Sequence, residues 1–357
     1  MMTIGEVFRV TLLGSSHGPF VGATIEGLPI GTKIETDMIQ TAMNQRKPGG
    51  PFASKRREDD VVTWESGIKD GVVVGNEIRC IIPNNDVRSS DYDFLPNHPR
   101  PGHQDMVMHI KSKGEADLRG GGTSSARMTA PLVAAAALVT PLLNSIGISV
   151  EAHVSDIGQV QAKPMNLCPP QWASEVCEQL RCRDPDAAKQ MAELIQKTRK
   201  ERDSIGSCVR AMIQGLPIGV GEPWFDGIEP AMSRALFAIP AVRGVEFGHG
   251  FDVVGMHGSE HNSPWGGTSQ SPHQTGSKPD GGLAGMSTGS DLHMRIAFKP
   301  PSSIAKPQTT LNLETNQVEK LVVRGRHDPV LGPRAAPVVE AMCKIVLYDL
   351  CLRGGFL

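Results

Sequence analysis

The stretch "DLRGGGTSSARMTAPLVAAAALVTPLLNSIGI", residues 117–148, joins three glycines and two serines to a long run almost free of charge. Written as a helix, Leu132 to Leu143 is apolar on nearly every face, so the rest of the molecule has to enclose it. Ser124 or Ser125 supplies the N-cap, while Pro131 and Pro141 distort the helix. Arg127 falls in the first turn, where the positive end of the helix dipole disfavours a cation unless an anion is bound beside it. Free amides, close-approaching glycines and two hydroxyls suit a phosphate or carboxylate there. The bland alternative is a solvated arginine above a hinge. The stretch is not a Walker A loop, since no Gly-Lys-Ser/Thr follows, nor a GxGxxG dinucleotide turn.

On the N-terminal side, alternating β-branched residues predict strands over 6–13 and 21–26, with the loop "GSSHG" between them holding His17 on a turn. A helix over 35–45 is followed by the basic Gly/Pro-rich loop "RKPGGPFASKRREDD", strands over 60–65 and 77–82, and the polar stretch "NNDVRSSDYDFLPNHPRPGHQD". On the C-terminal side, the Pro-rich "QAKPMNLCPPQW" leads into charged amphipathic helices over 173–203, broken at "RDPD", which read as a peripheral layer within about 170–204. A strand "CVRAMIQGL", a helix over 228–238 and a strand region "VRGVEFGHGF" come next. Residues 257–291, rich in Gly, Ser, His and Pro, read as a long mobile loop. Three strands then precede an apolar helix over 334–351, so a strand-rich block twice leads into a buried helix, a weak pseudo-repeat.

Length and charge bound the function. The 357 residues suffice for a substantial core, read here as a single domain over 1–357. A net charge of −2 gives no reason to expect nucleic acid, and any anion must meet a local cluster of Arg and Lys. The expected partner is a small molecule. No apolar run is long and uncharged enough for a membrane span, and the start "MMTIGEVFRV" lacks a secretory pattern, so the cytoplasm is the expected location. Seven scattered cysteines without a CxxC pair read as reduced structural thiols. In "HGSEH", His257 and His261 have a metal-ligand spacing, but glycine and serine between them disfavour one helical face, and no metal is expected.

Two further loops carry chemistry. "HPRPGHQD" sets Arg100 and His103 three apart in a Pro/Gly-stiffened turn, where an imidazole can titrate beside a cation holding an anion. In "GRHDP", Asp328 can act as a base and Arg326 as an anion clamp, against the alternative of a salt-bridged strand end before the last helix. Singly each is weak. Together, Arg- and His-bearing loops at the ends of core elements point to chemistry on a small anion.

The same residues resemble the chorismate synthase family. "FRVTLLGSSHG" is similar to its N-terminal signature, "RPGHQD" to RPGHAD, "RGGGTSSARMT" to RGGGRSSARET, and "IPAVRGVEFGHGF" to IPAVKGVEFG, with "GRHDPVLGPRAAPVVEAM" completing an ordered set over residues 5–350. The resemblance implies an α+β fold, a β-α-β sandwich with buried central helices between antiparallel sheets, assembled as a homotetramer. It implies a 1,4-anti elimination of phosphate from 5-enolpyruvylshikimate 3-phosphate, giving chorismate, with reduced FMN required and no net redox change. Either NADPH or a separate flavin reductase would supply the reduced flavin.

Carried over position by position, His17 would meet the departing phosphate, His103 would give a proton to the reduced flavin, and Asp328 would help remove the C6 proton. Arg46, Arg100, Arg127 and Arg326 would hold substrate anions, Arg326 also meeting flavin, since guanidinium groups grip such oxygens bidentately. Flavin contacts would come from Thr123, Ser124 and Ser125, from Pro240 and Ala241, from Ala284, and from Lys299, Pro300, Pro301, Ser302 and Ser303. The chain departs from the family at Ser15, where the pattern has glutamate, at Thr123, where it has arginine, and at Ala284, where it has glycine. It departs also in "QRKPG" for RRRPG and "KSKGEAD" for KYGxRD. Two rival readings are a flavin-dependent oxidoreductase of small anions and a non-catalytic ligand-binding paralogue.

Overall fold

A computed structural model of the chain describes residues 2–47, 50–54, 58–86, 88–276 and 279–357. Pro48 and Gly49 of "QRKPG", residues 55–57 of the basic loop, Val87, and Ser277 and Lys278 of the 257–291 segment lie outside the described residues. Two five-stranded antiparallel sheets form the outer layers. The first runs in the order β1 (Thr3–Ile4), β2 (Arg9–Gly14), β3 (Phe20–Glu26), β7 (Glu77–Pro83) and β4 (Thr63–Ser66), with the short hairpin β5 (Ile68–Lys69) and β6 (Val72–Val73) between β4 and β7. The second runs β11 (Val242–Phe247), β16 (Leu292–Phe298), β10 (Ser207–Gln214), β8 (Ser149–Ile157) and β9 (Val160–Gln161).

Helices fill the middle. The run of residues 132–143 lies inside α3 (Ala130–Ser145), which packs on α8 (Gly332–Arg353), with α1 (Thr36–Arg46) and α6 (Ile228–Ala238) beside them. α3 faces β2, β3 and β7, while α8 faces β8 and β10. The α+β sandwich follows from the periodicities. Alternation turns Ile78, Cys80 and Ile82 of β7, and Leu292, Met294, Ile296 and Phe298 of β16, inward. α3, apolar all round, occupies the space between. The run Arg119–Ser145 has the length and composition of a membrane span, yet most of it is enclosed by the sheets.

Four departures from the sequence expectations have physical causes. The strand expected over 6–13 is β2, which begins at Arg9 because the amides of Glu6, Val7 and Phe8 donate to the Asp349 carboxylate (3.0, 2.7 and 2.8 Å) instead of a ladder. The strand expected from residue 60 begins at Thr63, after Asp60 turns into the left-handed region (φ 51°). A 3₁₀ turn, Ala126–Thr129, precedes α3, with the Ser125 hydroxyl accepting from the Arg127 amide at 3.3 Å. Residues 257–291 contain the one-turn helix α7 (Gly258–His261) and two hairpins, β12 (Trp265–Thr268) with β13 (Ser271–Gln274) and β14 (Gly282–Leu283) with β15 (Met286–Ser287). These strands are two to four residues long, too short and too poor in core residues to be read from pattern.

The peripheral helices break where expected: α4 (Glu175–Leu180) ends before "RDPD", and Asp184 caps α5 (Pro185–Lys200) by accepting from the Asp186 and Ala187 amides. They bury Leu180, Met191 and Ile195 in a second, smaller core with Val154 and Ile157. The hairpin β17 (Gln308–Leu311) with β18 (Val318–Leu321) and helix α2 (Asp105–Lys111) complete the chain.

Candidate active site

The glycine loop holds two imidazoles. Gly120, Gly121 and Gly122 take φ of 57°, 85° and 53°, conformations that a side chain disfavours. Space adds a second reason at Gly120, where a Cβ would lie 2.1 Å from Cε1 of His17. The neighbouring Gly121 lies against the other ring, with its Cβ position 3.7 Å from Cε1 of His103. Hydrogen bonds pin the loop from both sides: Ser16 Oγ donates to Gly120 O (3.3 Å), and Gln104 Nε2 donates to Gly121 O (2.7 Å). Ser15 stands where the family pattern has glutamate, and its hydroxyl closes the His17 turn by accepting from the Gly18 amide at 3.1 Å.

Tyr92 ties the histidine loops together. Its ring meets His17 edge-on at 5.1 Å, and the guanidinium of Arg100 sits 5.5 Å from its centroid. Arg100 is clamped in turn by Asp105, which accepts from Arg100 Nε (2.7 Å), Nη2 (2.8 Å) and its backbone amide (3.0 Å). The same carboxylate lies 2.6 Å from His103 Nδ1. Burial disfavours the Asp105 charge, but the hydrogen bonds from Arg100 and His103 outweigh it and hold the carboxyl well below the usual range.

Arg46 and Arg127 share one buried carboxylate. Asp60 accepts from Arg46 Nη1 at 2.7 Å and from Arg127 Nη1 through its other oxygen. The remaining nitrogens are also engaged: Arg46 donates to Thr129 Oγ1 and Ala126 O, Arg127 to Asn84 Oδ1 and Pro83 O. Burial, only partly offset by Asp60 and reinforced by the nearby cations Arg334 and Arg127, pushes Arg46 down to about 10. Asn84 also donates to Ser15 O (3.0 Å) and Gly18 O (2.9 Å), joining Arg127 to the His17 turn. Two residues on, Asp86 pairs with Arg326. Asp328 accepts from the Ser54 amide and from Arg334 Nη1, each at 2.6 Å. Arg334 also lines a cavity of about 370 Å³ with Lys47 and Arg181.

A second cavity, of about 420 Å³, brings Thr123, Ser124 and Ser125 opposite Pro240 and Ala241. Its walls are apolar, from Leu12, Met128, Leu132, Phe237 and Met342, and Arg243 stands at its rim. A chain of contacts joins it to the histidines. The Lys299 amide donates to Ala241 O (3.0 Å), Lys299 Nζ and Ser302 Oγ both donate to Gly102 O, and Ser303 Oγ accepts from Arg100 Nη1 (3.0 Å). An apolar cavity whose lining also includes the hydroxyls of Thr123, Ser124 and Ser125 and the cation Arg243 fits a flat heteroaromatic ring with a phosphorylated tail.

Other expected contacts lie elsewhere. Pro301 accepts from Ser204, and Pro300 packs on Gly206. Ala284 sits in the β14–β15 turn at the start of α6, while Pro240 and Ala241 follow that helix's other end. His261 pairs with Asp280 at 2.7 Å, His257 caps α7, and among the described residues no three His, Cys, Asp or Glu side chains gather as a metal site. Asp60, Asn84, Tyr92, Asp105 and Arg243 escaped the sequence reading. Asp105 was signalled by its place two residues after His103 in "PGHQD", whereas Asp60 and Asn84 gave no signal, because their roles come from pairing across the fold.

Sandwich and site together define an enzyme of small acidic molecules, with imidazoles and guanidiniums gathered on a glycine loop beside an apolar slot. A family model described as "Chorismate synthase" matches residues 8–352. The chain is 43 % identical over 352 residues to a chorismate synthase of Aeropyrum pernix, covering 98 % of this chain and 92 % of that one. It is 41 % identical over 361 residues to one of Methanosarcina acetivorans, covering 99 % and 96 %. In fold it is similar to a solved structure described as "Crystal Structure of Chorismate Synthase", with a TM-score of 0.74 at 23 % identity, covering 98 % of this chain and 93 % of that one. The chain belongs to the chorismate synthase family, which are lyases.

Proposed function

We propose that this chain eliminates phosphate from 5-enolpyruvylshikimate 3-phosphate in the 1,4-anti sense, giving chorismate, with reduced FMN in the slot between Thr123–Ser125 and Pro240–Ala241. The observation that carries the proposal is the placing of His17 and His103 on adjacent glycines, Gly120 and Gly121, of the loop whose next residues line that slot. Reduced flavin, when bound, supplies electron density that eases departure of an allylic phosphate.

The chain's own groups do the rest. His17 donates a hydrogen bond or proton to the leaving phosphate, and Asp328, steadied by Ser54 and Arg334, assists removal of the C6 proton. His103 holds an exchangeable proton at the edge of the slot. Arg46, Arg100, Arg127 and Arg326 supply positive charge around the substrate's anions, though each is already tied to a carboxylate. Their role here is a preset field more than direct grip. Lys299 and Arg243 serve the flavin phosphate, and Ser302 and Ser303 fix the run to the histidine loop. Reduced flavin comes from NADPH or a separate reductase.

Exposed Trp224, Phe225, Phe251 and Val254 support an assembled form; that this is a homotetramer, and that it works in the cytoplasm, rests on the family resemblance. His103→Ala and Asp328→Ala are each expected to lower the rate of phosphate release by about 100-fold with KM little changed. Wild-type rates in both variants would remove these roles.

A further inference from the structure

We infer that Asp105 is a positioning residue that fixes His103 as its Nδ1–H tautomer, leaving Nε2 as the atom that exchanges the proton. The inference rests on the reading that His103 exchanges a proton in the reaction. Two groups compete for Nδ1. Arg100 Nη2 approaches it at 3.0 Å, which would make Nδ1 an acceptor, and Asp105 Oδ1 approaches it at 2.6 Å, which makes it a donor.

Both cannot hold for a neutral ring. With a bare Nδ1, its lone pair would face a carboxylate oxygen at 2.6 Å, whereas Arg100 loses little by forgoing the contact. Its Nη2 already donates to Asp105 Oδ1 at 2.8 Å. The proton therefore sits on Nδ1, in a short charge-assisted hydrogen bond.

The carboxylate is well placed to impose this choice. Asp105 is fully buried at the start of α2, and its other oxygen is held by Arg100 Nε (2.7 Å) and the Arg100 amide (3.0 Å). It cannot swing away from the imidazole without leaving two donors unmatched in the interior. Arg100 is locked on its far side by Ser303 and over Tyr92. Among the described residues Nε2 of His103 has no hydrogen-bond partner, and the ring stays about a quarter exposed beside Gly121. One nitrogen is committed and the other open, the arrangement expected of an imidazole whose tautomer is set from behind.

The test is a long-range ¹H–¹⁵N correlation spectrum of the full chain labelled at histidine, without flavin, at about pH 8.5, above the ordinary imidazole range. The His103 signals are assigned by their loss in His103→Ala. The expected pattern is a protonated Nδ1 and a bare Nε2, opposite to the tautomer favoured by free histidine. Asp105→Asn, whose amide can donate to Nδ1, is expected to reverse the pattern and lower kcat by about 10–100-fold at little changed KM. Asp105→Glu is expected to restore both in part. A protonated Nε2 in the wild-type chain overturns the inference, even if Asp105→Asn proves unable to fold. An unchanged ring spectrum in a folded Asp105→Asn overturns it too. A wild-type rate of phosphate release in His103→Ala would instead remove the functional reading on which the inference rests.

Discussion

Ala284 occupies the left-handed region at φ 53° in the two-residue turn between β14 and β15, followed by Gly285 at φ 89°. Both turn residues have positive φ, the geometry that favours glycine and strains alanine. Ala284→Gly is therefore expected to raise stability by about 1 kcal/mol, read as a higher denaturant midpoint with an unchanged slope. No change would mean the turn is relaxed. His153 offers a pH test. Burial, then the cations Arg210 and Arg183, push it down to about 4. Between that value and the unfolded value of about 6.5, the unfolded chain binds the extra proton, so stability falls as pH drops through this window, by about 3 kcal/mol in all. His153→Phe is expected to flatten the dependence in denaturation curves taken across the window, and an unaltered slope would contradict it. Single residues were also where the sequence was most and least legible. His17, His103 and Arg127 announced themselves by their glycine and proline neighbours. Asp60 lies in a charged run that looks solvated, and only folding makes it the buried counter-ion of Arg46 and Arg127.

Elements were legible wherever one period ran long enough. α6 falls on the expected 228–238, and α1, α5 and α8 lie within a few residues of their predicted limits, because apolar spacing and caps are local properties. The limits that moved did so for non-local reasons. α8 reaches back across the fold with Asp349, whose Oδ1 collects the amides of Glu6, Val7 and Phe8, and so decides where β2 begins. Asp349→Ala leaves those three donors unmatched and is expected to cost about 2–3 kcal/mol, measured by chemical denaturation. A loss below about 0.5 kcal/mol would show that water replaces the carboxylate freely. The hairpins of 257–291 were illegible for the opposite reason: strands of two to four residues carry no usable period. α3 is the element on which the site depends, since its buried body fixes its N-terminal end, and that end carries the glycine loop.

At the scale of the molecule, loops from distant parts of the chain meet around the glycine loop before α3. Turns after β2 and β7 bring His17, Asn84 and Asp86, the loop before α2 brings Arg100 and His103, and the run after β16 brings Lys299, Ser302 and Ser303. No stretch of sequence contains this arrangement. It was foreseeable only through the family resemblance, since composition and spacing pointed no further than a small anionic ligand. Departures such as Thr123, at the slot where the family pattern has arginine, leave the gathering intact. The most direct test supplies the purified chain with 5-enolpyruvylshikimate 3-phosphate and a limiting amount of chemically reduced FMN, without oxygen, and counts phosphate and oxidised flavin. Many phosphates are expected per flavin, with the flavin still reduced at the end. No phosphate above background, or one phosphate for each flavin oxidised, would contradict the proposed elimination.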